Sequence, residues 1–132
     1  MILDTSAIVA ILYGENDADA YVSAIASADA CRISAATFVE AAIVIEAQMK
    51  PGGGRQLDAL LRRARVKIEP VTVEHAHIAR QAFADFGKGR HRARLHFGDC
   101  FAYALAKATG EPLLFKGNDF RRTDVKPALS TG

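Results

Sequence analysis

The sequence predicts an α/β fold, a three-layer α/β/α domain around a central parallel sheet of four or five short strands. Three observations carry this prediction. Short, wholly apolar runs such as Ile2-Leu3 and Leu113-Leu114-Phe115 lack polar alternation, as strands buried on both faces do. Between such runs lie segments with apolar residues at helical spacing. The two kinds of segment alternate along the chain, the pattern of parallel strands joined by helical crossovers.

Each element follows from its own residues. Ile2-Leu3 is the first strand. Thr5 to Tyr13 is a helix with Ala7, Ile8, Ile11 and Leu12 on one face, ended by Gly14. Asp17 to Ala28 is an Ala-rich helix, and Arg32-Ile33-Ser34 a second short strand. Thr37 to Met49 is a third helix, closed by Pro51-Gly52-Gly53-Gly54, the strongest loop signal in the chain. Arg55 to Arg65 is helical, with Leu57, Leu60, Leu61 and Ala64 at i, i+3, i+4, i+7. A strand is expected near Ile68 to Val71. Glu74 to Phe86 is amphipathic, and Gly87 to His96 is a polar, basic loop. Asp99 to Thr109 is apolar nearly all round and reads as a buried helix, with Gly110 just past its end. Leu113 to Phe115 is a further strand, and Asp124 to Gly132 an edge strand followed by a frayed tail.

At 132 residues, 50% of them hydrophobic and 24% charged, the chain fits one globular domain spanning 1–132. Seventeen Lys and Arg against fifteen Asp and Glu give a net charge of +2, which alone selects no partner. No apolar run approaches the ~18–20 residues needed to span a bilayer. The N-terminus carries no basic region or cleavage site, and Asp4 interrupts its apolar stretch. The expectation is a soluble, cytoplasmic protein without a membrane partner, in which Cys31 and Cys100 are buried thiols, not a disulfide.

In a parallel sheet, ligands bind beyond the carboxyl ends of the strands. Four acids fall at such positions. Asp4 follows the first strand; Glu40 lies early in the helix after the second; Asp99 opens the buried helix; Asp119 follows the last apolar strand in KGNDF. Each has a local explanation. Asp4 and Asp99 suit helix N-caps, Thr37 and Glu40 fit a capping box, and Asp119 suits a turn. Together they pose a different problem, since two unit charges ~4 Å apart repel by ~4 kcal/mol at an effective dielectric of 20. Such a cluster calls for a hard cation, Mg²⁺ or Mn²⁺, which prefers oxygen ligands. A carboxylate-held metal activates water and steadies an in-line phosphoryl displacement. At Asp4 the two roles are compatible, with one oxygen capping a backbone N–H and the other facing a metal. Thr5 and Ser6 stand ready to support a carboxylate or a water.

ILDTSA around Asp4, SAATFVEAAIVIE around Glu40, FGDCFAYALAKATGEPLLF around Asp99 and KGNDFRRTD around Asp119 together resemble the PIN-domain nucleases, and more narrowly the VapC-type toxins of bacterial toxin–antitoxin pairs. The resemblance covers essentially the whole chain. It implies a PIN-like α/β/α domain and Mg²⁺- or Mn²⁺-dependent endonucleolytic cleavage of RNA, commonly tRNA or rRNA. It implies a homodimer inhibited by a cognate VapB-type antitoxin, through which alone operator DNA is bound. By position, Asp4, Glu40 and Asp99 carry over as metal-site carboxylates. The family often places an acid two residues before the Asp-Phe pair, where this chain has Gly117. Asp119 is therefore assigned as the fourth ligand or a supporting group, with Asn118 in reserve. Thr5, Ser6 and Thr37 carry over as groups that orient the ligands.

Lys88, Arg90, Arg92 and Arg94 crowd the segment before Asp99 and read either as a solvated loop or as a rim contacting RNA phosphates. His75 and His77 read as surface residues, because nothing completes a zinc set. His91 and His96 fall near the site without an assigned role. The rival reading is a non-catalytic PIN-fold module that binds an antitoxin and modulates operator binding. A dehalogenase-like phosphotransfer domain fits poorly, since Ser6 stands where its second Asp belongs.

Overall fold

β1 (Ile2–Leu3) is only two residues long, yet both are fully shielded from water. It is followed by α1 (Thr5–Leu12), α2 (Ala18–Ser27), β2 (Arg32–Ser34), α3 (Ala35–Gln48), α4 (Gly53–Arg63), β3 (Lys67–Glu69), α5 (Val73–Phe86), α6 (Phe97–Thr109) and β4 (Leu113–Leu114), with a 3-10 turn at Phe120–Arg122. The structure, a computed structural model, describes residues 1–49 and 51–129. The strands form one parallel sheet in the order β3-β2-β1-β4. The chain steps outward from β1 to β2 and β3, then crosses back to place β4 on the other side of β1. The carboxyl ends of β1 and β4 therefore flank the point where the strand order reverses, the place where open α/β sheets form a crevice.

Alternation along the strands divides the core. Ile2, Leu113 and Phe115 pack with Ala79 and Ala82 of α5 and with Cys100, Ala102 and Leu105 of α6. Leu3, Ile33 and Leu114 pack with Ala7 and Ile8 of α1, Tyr21 of α2, Ala41 of α3 and Leu57 and Leu61 of α4. These two cores are the helical layers predicted for the two sheet faces. Burying each aliphatic strand residue stabilises by roughly 1.5–3 kcal/mol, which anchors strands too short to hold by hydrogen bonds alone. Cys31 and Cys100 are both buried and free, as expected.

Four details differ from the sequence reading. The glycine run does not stay a loop, because α4 already begins at Gly53. A Cβ at Gly53 would lie 2.8 Å from the Ile45 side chain and 2.9 Å from its carbonyl oxygen, so the residue is small to let α4 approach α3. The sheet's third strand is Lys67–Glu69, two residues short of Val71. The C-terminal edge strand reduces to a single parallel bridge between Leu113 and Pro127, although the Leu113 N–H donates to Lys126 O and the Ala128 N–H to Leu113 O. The expected tail beyond Leu129 lies outside the described residues. The basic segment 87–96 is pinned, since the Leu95 N–H donates to Phe86 O at 2.8 Å and Ala93 and Leu95 are fully buried.

Candidate metal centre

Asp4 leaves β1 at the strand-order reversal, and its backbone N–H still donates to Leu114 O at 3.0 Å. It is also the N-cap of α1. Its Oδ2 accepts from the Ser6 N–H at 3.0 Å and from the Ser6 hydroxyl at 2.6 Å. Ser6 Oγ in turn accepts from the Lys116 N–H at 2.9 Å, tying the exit of β4 to the same carboxylate. The other oxygen, Oδ1, is buried and has no hydrogen-bond partner, and the residue as a whole is 3% exposed. Burial, then the charge of Asp99, pushes the Asp4 carboxyl up to about 7, against the pull of the two Ser6 hydrogen bonds; Glu40 adds a smaller push.

Glu40 is free for the site because the expected capping box does not form. The N-cap of α3 is Ser34, whose hydroxyl accepts from the Ala36 N–H, and this leaves Thr37 inside the first turn. Thr37 is fully buried, and its hydroxyl has no partner. The Thr5 hydroxyl donates to Glu40 Oε1 at 2.6 Å. On its other side Glu40 lies against Gly98, where a Cβ would overlap its carboxylate. Thr5 and Gly98 thus fix one carboxylate between the N-terminal ends of α1 and α6, where helix dipoles favour negative charge.

Asp99 does not open α6 as predicted. His96 is the N-cap, and Asp99 sits three residues in, its Oδ2 accepting from the His96 N–H at 2.9 Å. Burial raises the Asp99 carboxyl above its ordinary range, the His96 contacts oppose the rise, and the charge of Asp119 adds to it. Asp119 heads the 3-10 turn after β4 and is exposed, as is Asn118 beside it. One ligand atom each from His96, Asp99 and Asp119 lies within 4.8 Å of the others. Asp119 acts on Asp99, and Asp99 and Glu40 act on Asp4, so the four predicted acids meet electrostatically at one edge of the sheet. Asp124 of the same motif is elsewhere, accepting from the Tyr103 hydroxyl at 2.6 Å and from Lys107 Nζ at 3.0 Å.

The donor set fits a divalent cation. An orphaned, buried carboxylate oxygen is costly without a positive partner, and the side-chain charges that act on Asp4 are those of Asp99 and Glu40. Sequence reasoning missed Gly98 and left His96 near the site without a role. Gly98 was detectable only as a glycine directly before an acid. His96 stands at the i–3 spacing of a capping pair, but its approach to Asp119 is a tertiary event.

Lys88, Arg90, Arg92 and Arg94 are exposed on the segment that runs into His96 and α6. Arg90 lies 6.0 Å from the Phe83 ring centre, and Arg122 Nη1 donates to the Arg92 carbonyl at 2.9 Å. Among the described residues, no helix is long and apolar enough to cross a membrane.

Residues 1–126 match the family described as PIN domain. The chain is 54% identical to Ribonuclease VapC28 of Mycobacterium tuberculosis, over 98% of each chain. It is 52% identical to Ribonuclease VapC of Mycolicibacterium smegmatis, over 95% of this chain and 97% of that one. Among solved structures it superposes on M. tuberculosis VapC20, described as a Sarcin-Ricin loop cleaving toxin, with a TM-score of 0.72 at 20% identity over 96% and 98% of the two chains. FitAcB from Neisseria gonorrhoeae gives a TM-score of 0.68 at 21% identity, over 96% and 94%. These two likenesses show the shared fold.

Proposed function

The chain belongs to the PIN domain family, and from that premise we propose that it is a divalent-metal-dependent endoribonuclease, the toxin of a toxin–antitoxin pair. The observation that carries the metal centre is the buried, unpartnered Oδ1 of Asp4, a carboxylate raised by the charges of Asp99 and Glu40. Asp4, Glu40, Asp99 and Asp119 hold Mg²⁺ or Mn²⁺. Bound there, the ion supplies an acidified water and stabilises charge on a phosphoryl oxygen.

The chain's own groups set up that chemistry. Ser6 fixes Asp4 through two hydrogen bonds and leaves its second oxygen facing inward. Thr5 orients Glu40 and His96 orients Asp99. Lys88, Arg90, Arg92 and Arg94 line the approach and hold the RNA backbone by charge. A solved structure of similar fold, described as a toxin-antitoxin complex from Klebsiella pneumoniae, supports an antitoxin partner. Val39 and Ile43 of α3 and Phe97 of α6 are apolar and 52%, 64% and 78% exposed, which supports association with a second copy.

The test is cleavage of single-stranded RNA by the purified chain with Mg²⁺ or Mn²⁺. Wild-type cleavage is expected to stop with chelator, and Asp4→Asn and Asp99→Asn to lower it by about 100-fold or more. Full activity in either variant would refute the site. Cleavage unaffected by chelator would refute the metal dependence.

A further inference from the structure

We propose that His96 supplies a nitrogen ligand to a divalent metal held jointly with Asp99 and Asp119, and that this donor biases the site toward Mn²⁺ over Mg²⁺. The inference rests on the metal-centre reading above and adds a ligand to it. The three ligand atoms lie within 4.8 Å of one another. Around an octahedral ion bonded at ~2.1 Å, neighbouring ligands are ~3.0 Å apart and only opposite ones ~4.2 Å, so the set must draw together by up to ~1.8 Å to close on one ion. Asp119 is on an exposed turn and supplies that freedom.

His96 is held for this role by the backbone. Its N–H donates to Asp99 Oδ2 at 2.9 Å, and its ring Nδ1 lies 3.5 Å from the same oxygen. The side chain is 58% exposed, so a ring nitrogen is open to an incoming ion. A separate observation, at Asp4, points to a cation. Asp4, almost wholly buried, carries an oxygen without a partner, and its carboxylate is coupled to Asp99. Asp99 thus acts by its charge on a buried acid with an unpartnered oxygen and also stands at ligand spacing with His96 and Asp119.

The nitrogen donor changes which ion the site prefers. Carboxylate and water ligands suit Mg²⁺, whereas imidazole strengthens binding along the transition-metal series. If His96 only capped α6, its ring would be dispensable for the metal.

Pulsed electron paramagnetic resonance on the full-length protein loaded with Mn²⁺ reads the ligand directly. The expected result is ¹⁴N modulation from a coordinated imidazole, lost on ¹⁵N-histidine labelling and lost in His96→Asn. Asn is a good N-cap, so the helix start is retained. In that variant Mn²⁺ affinity is expected to fall about tenfold, and Mg²⁺ affinity, read by competition, to fall far less. Asp99-dependent Mn²⁺ binding without ¹⁴N modulation would overturn the proposal and leave the metal centre intact. Equal losses of Mn²⁺ and Mg²⁺ affinity in His96→Asn would overturn the selectivity. Absence of Asp99-dependent Mn²⁺ binding would overturn both this proposal and the reading beneath it. The wild-type spectrum decides the ligand even where a variant folds poorly.

Discussion

Replacing Asp4 by Asn is expected to make the metal-free protein more stable at pH 8. The Asp4 carboxyl is raised from 3.8 to about 7, first by burial and then by Asp99. That rise is about 3 units, and at ~1.4 kcal/mol per unit it sets an upper bound of ~4 kcal/mol on what the charged form costs the fold at pH 8. Asn is nearly isosteric, keeps an oxygen for the two Ser6 hydrogen bonds, and places an N–H donor beside the neighbouring carboxylates. At roughly 3 °C per kcal/mol for a domain of this size, a gain of half the bound or more raises Tm by about 6–12 °C. The pH dependence has a definite sign. The folded carboxyl holds its proton to higher pH than the unfolded one, so the fold takes up a proton between pH 3.8 and about 7. Wild-type stability therefore falls as pH rises through that window and levels off above it. Asp99 shifts in the same direction. The carboxyls held low, Asp17, Glu69 and Asp124, act with the opposite sign, as pH falls below their ordinary values of 3.8, 4.5 and 3.8. Thermal unfolding in chelator at pH 5, 6.5 and 8 measures this. A variant no more stable than wild type at pH 8, or a wild type whose Tm rises from pH 5 to 8, would refute the reasoning.

Other perturbations separate the parts of the site. Gly98→Ala drives a methyl into the Glu40 carboxylate and is expected to cost about 1–3 kcal/mol. Adding Glu40→Asp, which withdraws that carboxylate, should restore Tm without restoring full cleavage; an unchanged melt for the single variant would contradict the packing. Replacing Lys88, Arg90, Arg92 and Arg94 by Ala should flatten the salt dependence of single-stranded RNA binding by a slope of about 3 at most, at ~0.7 per phosphate contact. An unchanged slope would remove these residues from the RNA path. Saturating Mn²⁺ is expected to reverse the order of Asp4→Asn and wild type in thermal unfolding, because only the wild type keeps the full ligand set.

What was legible in the sequence depended on how local its cause is. Ile2-Leu3 and Leu113-Leu114 announce buried parallel strands because a strand covered on both faces has no room for polar alternation. Asp4 was legible twice over, as cap and as candidate ligand, and one oxygen does cap α1. The capping of α3 was misread because ISAAT offers two hydroxyls. The chain uses Ser34, which directly ends β2, and this releases Glu40 to Thr5. Asp99 was misread as a cap for a similar reason: His96, three residues earlier, holds that position and Asp99 reaches back to it. Gly53 looked like part of a loop because its close approach to Ile45 is tertiary. Ala93 and Leu95 vanished into a basic stretch although both are buried, Leu95 in the core shared with Ala79 and Ala82 of α5.

The central claim, that the acids beyond β1 and β4 hold a divalent metal, is tested most directly by anomalous diffraction from crystals of the protein soaked in Mn²⁺. The account predicts a strong peak at bonding distance, roughly 2.1–2.2 Å, from Asp4 Oδ1 or the Asp99 carboxylate, absent in Asp99→Asn crystals. Fully occupied Mn²⁺ elsewhere, with Asp4 Oδ1 still unpartnered at saturating metal, would contradict it.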